Sequence, residues 1–312
     1  MIRKATAILS LLGLHTGEAR LRGSSAAKLR QPLCSVLALS GGGSFGAVQM
    51  GILDGLTATG QVPARYDIVT GISAGGLNAG FLSYYDNVTV ALPAIYGILA
   101  NLTNADIYTA APLSILSEWS YYNTAPLEQT VATVLGDLSP AATAPLTLVG
   151  ASNVLTKELD VWRFGELDLV GQVDALMATS AIPLVFPPRE VNGSLYVDGG
   201  VISNEMIAQA IGQLECDSYQ VVFISASARN QTAGPMPTGL WSYMGVVVDL
   251  LLDTFDYQLA QAGSCIYPRG TIQACFPTAP ALDNYSILDF DHGAALYALG
   301  KEAFACEMRS LC

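Results

Sequence analysis

Thr70-Gly-Ile-Ser-Ala-Gly75 sets a serine between two glycines, after a short apolar run at 66–70 and before a helix-compatible stretch at 74–85. A strand that turns sharply into a helix needs small residues around the turn, and such a turn pushes the central side chain clear of the backbone. The spacing predicts a nucleophile elbow with Ser73 at its tip. Upstream, Ser40-Gly-Gly-Gly-Ser-Phe-Gly46 follows another apolar strand candidate at 34–39. Glycines between a strand and a helix leave bare backbone N–H groups, which suit a developing oxyanion.

Two other readings of that glycine run fail. Gly41-x-Gly43-x-x-Gly46 formally matches a dinucleotide fingerprint, which needs an acidic residue ending the next strand, about 20 residues on. Here the next strand begins with Asp67 and ends in the serine turn. A phosphate-cradling NTPase loop needs Gly-Lys-Ser/Thr, and none follows.

A serine nucleophile needs a base. The chain has two histidines, and His15 lies in an apparent leader, so a triad has to take the order Ser73, Asp198, His292. That order suits an α/β-hydrolase esterase. The competing arrangement is a dyad in which Asp198, from Val197-Asp-Gly-Gly200, contacts Ser73 directly. A carboxylate is a weak base, with a reference pKa of about 3.9, so a dyad must gain from positioning and desolvation. His292 opens a helix candidate at 291–302, where a histidine commonly has a structural role. Both arrangements stand at this point.

Four ordered blocks resemble the patatin-like phospholipase family: Ser40-Gly-Gly-Gly-Ser-Phe-Gly-Ala-Val-Gln-Met-Gly51, Gly71-Ile-Ser-Ala-Gly-Gly-Leu-Asn78, Ala178-Thr-Ser-Ala-Ile-Pro-Leu-Val-Phe-Pro-Pro188 and Asp198-Gly-Gly200. The similarity runs over residues 34–305. It implies a three-layer α/β/α sandwich with a mostly parallel central sheet, and a Ser-Asp dyad that hydrolyses acyl esters of lipids or phospholipids. On that resemblance Ser73 is the nucleophile, Asp198 its partner, and Gly41, Gly42 and Gly43 the oxyanion hole. Phe45 departs from the pattern, because many members carry Arg or Lys two residues past the third glycine. The change weakens the case for a phosphate head-group contact and leaves open a neutral acyl ester as substrate. In the third block, a helix at 169–180 must stop before Pro183, and the chain continues extended. That rigid apolar segment is expected to wall an acyl slot through Ile182, Pro183 and Phe186, with Phe45 on the substrate side.

Strand candidates at 36–39, 66–70, 146–151, 158–164, 195–197 and 220–226 alternate with helical stretches, which favours a mostly parallel sheet covered by helices. Of the 312 residues, 51% are hydrophobic and 13% charged, and no linker or repeat divides them. The expected organisation is a signal peptide at 1–19, an N-terminal extension at 20–33 and a single hydrolase domain at 34–312. The leader follows from basic residues at 3 and 4, an apolar run at 5–14 and small residues at Gly17 and Ala19. Sequons at Asn87, Asn101, Asn192, Asn230 and Asn284 and six cysteines agree with a glycosylated, disulfide-bonded protein that is secreted or held in the secretory-pathway lumen, with organelle targeting as the alternative. Six cysteines allow 15 pairings, among which the sequence does not choose; spacing makes Cys265–Cys275 and Cys306–Cys312 plausible local loops. Neither the cysteines nor the scarce histidines form a metal pattern, and no cofactor is expected.

A net charge of −12 disfavours nucleic acid and anionic membranes, since phosphate binding is mostly cationic. Lipid contact is therefore expected to be peripheral and hydrophobic, with the amphipathic stretch at 239–262 as its candidate. The reading is a lipid acyl hydrolase, with the triad esterase and a non-catalytic storage or lipid-binding glycoprotein as alternatives. Produced in a eukaryotic secretory host, the protein is expected to begin near Arg20 by mass spectrometry, to lose mass with glycosidase and to show no reactive thiol. An intact Met1 with six reactive thiols contradicts this.

Overall fold

The structure, a computed structural model, describes residues 20–22, 30–228 and 269–311. The leader, the stretch at 239–262, Asn230, Cys265 and Cys312 lie outside the described residues. The strands of the main sheet are β1 (Arg20–Arg22), β2 (Cys34–Leu39), β3 (Ile68–Ile72), β4 (Leu146–Asn153), β5 (Glu158–Arg163), β6 (Arg189–Val191), β7 (Ser194–Asp198), β8 (Tyr219–Ile224), β9 (Gly270–Pro277) and β10 (Phe304–Ser310). Their order is β1-β5-β4-β3-β2-β8-β9-β10, with β7 also paired to β4, and β6 to β7. The stretch from β4 through β3, β2 and β8 to β9 is parallel, whereas β5, β7 and β10 join antiparallel.

Helices cover both faces, and the strand residues explain why. Leu37, Leu39, Val69, Val222 and Ile224 point to a cluster with α1 (Gly46–Ala58), α2 (Ala74–Leu82), α3 (Val88–Leu99) and a late helix described below. The alternate residues Val36, Ala38, Ile68, Val221 and Phe223 point to the opposite cluster. A strand apolar on both faces is what a buried parallel sheet demands. Farther along the chain lie α4 (Asn104–Ile107), α5 (Ala125–Gly136) and α6 (Leu169–Thr179). The last two pack with Val149, Ala151, Trp162 and Tyr196 into a third cluster. Next, α7 (Ile207–Ile211) covers the second face, and α8 (Gly293–Glu302) completes the first. The result is the three-layer arrangement expected, with a mostly parallel core.

Several details differ from the sequence reading. The strand expected at 66–70 lies two residues later, at Ile68–Ile72. Part of the N-terminal extension joins the fold: β1 adds to the sheet beside β5, and Arg30–Gln31 pairs with Glu215–Cys216. The strands β9 and β10 were not among the candidates. Both cysteine loops are corrected as well. Cys34, at the start of β2, bonds Cys216, and Cys275 bonds Cys306. The second pairing follows from register, because antiparallel β9 and β10 place Cys275 directly opposite Cys306.

That bond closes a separation of 31 residues, for which loop-closure entropy gives about 3–4 kcal/mol. Replacing Cys275 and Cys306 together by Ala is expected to lower unfolding free energy on that scale in denaturant titrations. Peptide mapping without reductant should recover Cys275 joined to Cys306. A Cys265–Cys275 peptide contradicts the register.

Candidate active site

The geometry of the site begins with β4. Parallel β3 pairs along one of its edges until Ile72 stands opposite Gly150. Antiparallel β7 takes up the next positions and ends with Asp198 opposite Ala151. Two chains arriving from opposite directions therefore stop at neighbouring positions. The residue after β3 is Ser73, and the last residue of β7 is Asp198, so the sheet register brings the serine and the aspartate together.

Ser73 sits at φ 53°, ψ −124°, a backbone conformation that strains an L residue, between β3 and α2. The flanking glycines make the turn possible. A Cβ on Gly71 would fall 1.9 Å from the carbonyl oxygen of Gly75, and one on Gly75 would fall 2.5 Å from those of Leu39 and Ser40. The Ser73 N–H donates to Thr179 Oγ1 at 2.8 Å, and Thr179 donates in turn to the Gly150 carbonyl at 2.5 Å. Thr179 thus ties the elbow to β4 from the end of α6. As N-cap of α2, Ser73 also stands at the positive end of a helix dipole.

Asp198 is buried, and its backbone N–H donates to the Ala181 carbonyl at 2.8 Å. Its Oδ1 accepts from the Gly200 N–H at 2.8 Å. Its Oδ2 is buried without a closed hydrogen bond. Burial pushes the carboxyl up to about 7, against the opposing influence of the Ser73 hydroxyl and the Gly200 N–H. The serine is therefore near enough to affect the carboxylate, although their contact falls short of a closed hydrogen bond.

The three glycine amides differ in their availability. Gly41 N–H donates to the buried Asn204 Oδ1 at 2.8 Å. Gly42 and Gly43 amides have no partner among the described residues, whereas the next amide, Ser44, donates to the Ile287 carbonyl at 2.8 Å. Gly43 has φ +56°, and a Cβ there would fall 2.1 Å from the Ile287 carbonyl oxygen. Only glycine fits. Asn204 and Thr179 escaped the sequence reading, because their partners lie 163 and 106 residues away.

An apolar cavity of about 120 Å³ adjoins this loop and the first turn of α2, with Gly43, Ser44, Ala74 and Asn78 in its wall. Leu77 and Phe81 of α2, Ile95, Ile98 and Leu99 of α3, Leu127, Val131 and Leu135 of α5, and Phe290 extend the wall. Among the described residues, no charged side chain lines it. None of the four residues expected to wall an acyl slot is among the residues lining this cavity. Phe45 is buried in the first core cluster, Ile182 and Phe186 in the third, and half-buried Pro183 is not among the lining residues. The signal for the cavity was the i, i+4 stripe Leu127, Val131, Leu135, which by itself reads as ordinary core.

His292 stands apart from Asp198. Its side chain is 54% exposed, its Nδ1 lies 2.8 Å from Asp289, and its ring meets Tyr285 edge-on. The Asp289 carboxylate raises its pKa. Among the described residues, no group of His, Cys, Asp and Glu side chains is placed to hold a metal ion.

A family model described as patatin-like phospholipase matches residues 37–211, more than half of the chain. Among solved structures, VipD from Legionella pneumophila aligns with TM-score 0.36 at 12% identity, covering 91% of this chain and 68% of that one. The heterodimeric ExoU–SpcU complex from the type III secretion system of Pseudomonas aeruginosa aligns with TM-score 0.27 at 15% identity, over 75% of this chain and 52% of that one.

The raised Asp198 pKa has a consequence for stability. The native carboxyl keeps its proton up to about pH 7, while the unfolded one releases it near 3.8. Between those values the unfolded state binds fewer protons, so stability falls as pH rises. The Glu205 carboxyl, desolvated beside Asn204, is also pushed up to about 7 and acts in the same direction. Asp198→Asn removes the Asp198 share. Calorimetry should find the variant equal to wild type at about pH 4 and more stable above about pH 7, by on the order of 1–4 kcal/mol. A less stable variant at high pH contradicts the desolvated carboxylate.

Proposed function

The chain belongs to the patatin-like phospholipase family, and on that premise we propose that it hydrolyses carboxylic esters of lipids through a Ser73–Asp198 dyad. The observation that carries the proposal is the meeting of Ser73 with a desolvated carboxylate whose Oδ2 has no other closed bond. A base whose pKa is near the working pH combines a useful deprotonated fraction with proton affinity. Asp198 Oδ2 takes the hydroxyl proton as Ser73 Oγ attacks the ester carbonyl. The proton passes to the leaving alkoxide as the C–O bond breaks, which leaves an acyl-serine. Water then attacks, giving a proton to Asp198; as the acyl–Ser73 bond breaks that proton returns to Ser73 Oγ and the carboxylic acid departs.

The oxyanion falls to the Gly42 and Gly43 amides, while Asn204 holds the Gly41 amide and with it the loop. The uncharged cavity beside Ala74 is suited to the acyl chain. Secretion belongs to the same proposal. It is supported by the leader sequence, by two disulfides, and by exposed sequon asparagines at Asn101, Asn192 and Asn284.

A fluorophosphonate should label Ser73, and Ser73→Ala should abolish labelling and ester hydrolysis together. Asp198→Asn should lower kcat/KM by about 10²–10⁴-fold, and His292→Ala by less than about threefold. Wild-type kcat/KM should rise with pH to a plateau, with its half-point near 7. Equal, large losses in folded Asp198→Asn and His292→Ala contradict the dyad. Folded wild type without labelling or turnover favours the lipid-binding glycoprotein.

A further inference from the structure

Between α4 and α5 the chain makes an excursion that the chemistry above does not use. Its neck is a two-stranded ladder, Thr109–Ala110 with Tyr122–Asn123. Ile107 enters this neck and Leu127 follows it, and both are wall residues of the apolar cavity. The loop thus springs from the cavity's own rim. At its tip, Leu113, Leu116 and Trp119 are 84%, 85% and 58% exposed.

A second segment joins the same surface. Ser120 bridges to Leu184, and the Tyr121 N–H donates to the Leu184 carbonyl at 3.0 Å. Leu184 is 52% exposed and lies three residues past Ala181, whose carbonyl holds the Asp198 N–H. Trp119 and Leu184 both adopt positive φ, at 58° and 67°. Bulky residues rarely accept that conformation. Here two neighbours do so with their side chains left in water. Between residues 109 and 125 the only Asp, Glu, Lys or Arg is Glu118, in a chain of net charge −12. Anionic surfaces are repelled by such a protein, and the 109–125 segment offers phosphate no cation. An aliphatic tip with a tryptophan suits the boundary between head groups and acyl chains of an uncharged lipid surface.

We propose that the loop at 112–119, with Leu184, is a docking surface for electrically neutral or zwitterionic lipid interfaces that presents the cavity rim to its substrate. The proposal rests on the lipid-ester reading above. It offers an interfacial surface independent of the candidate at 239–262, which lies outside the described residues.

Full-length Ser73→Ala protein permits vesicle binding to be read without hydrolysis. Its partitioning onto phosphatidylcholine vesicles should fall about tenfold or more when Leu113, Leu116 and Trp119 are all replaced by Ser. Doping the vesicles with phosphatidylglycerol should weaken binding. In the Ser73 background, the triple variant should hydrolyse a soluble short-chain ester within about twofold of wild type, yet lose activity on vesicles. Unchanged partitioning in the triple variant overturns the proposal, as does binding that requires anionic lipid. Equal losses on soluble and vesicular ester make the loop structural and also overturn it. A dimer that the triple variant breaks, with vesicle binding intact, assigns the surface to a second copy instead. Docking by Ser73→Ala while wild type hydrolyses no ester refutes the catalytic reading and leaves this one standing.

Discussion

One edge of β4 governs the molecule's chemistry. It accepts β3 in parallel as far as Gly150 and β7 in antiparallel from Ala151, so two strands end head to head. Everything distinctive about the site follows from that junction. A serine leaves one strand end on a strained turn, an aspartate closes the other, and Thr179 bonds across the seam to both Ser73 and Gly150. Because the junction lies inside the sheet, the fold itself takes the carboxylate out of water.

Such a junction opposes stability in several ways. A carboxyl held without water, a serine at positive φ and two glycine amides without partners among the described residues each cost free energy in the folded state. The rest of the fold offsets these costs with apolar clusters on both faces of the sheet and with disulfides at Cys34–Cys216 and Cys275–Cys306. Concentrated strain and desolvation beside an apolar cavity are what the proposed Ser73–Asp198 dyad requires. The glycine loop shows how specific the arrangement is. Asn204 occupies the first amide and the Ile287 carbonyl takes the Ser44 amide, so Gly42 and Gly43 remain open between them.

The local features were legible in the sequence. Apolar runs marked β2, β4, β5, β7 and β8, and Gly71 and Gly75 around Ser73 marked a turn that only small residues permit. Features formed by distant pairings were not legible. Cys275 faces Cys306 through a register that spacing cannot reveal, and spacing misdirected the assignment toward nearer cysteines. Gly270–Pro277 mixes polar and apolar residues, which hid β9, and the exposed β10 carries almost no core pattern. The acyl slot was expected at Ile182 and Phe186 because proline-bounded apolar segments look like walls. In the fold those side chains pack in the third core cluster, which also supplies the α5 wall of the cavity, without lining the cavity themselves.

The central claim is that the sheet register sets a desolvated Asp198 carboxylate against Ser73. Carbon-13 NMR of protein labelled at aspartate carboxyls addresses it directly and leaves Glu205 silent. The resonance that disappears in Asp198→Asn should titrate near pH 7 in wild type, and its midpoint should rise in Ser73→Ala, where the hydroxyl that favours the charged form is gone. A midpoint near 4 that ignores the loss of the serine hydroxyl would contradict the account.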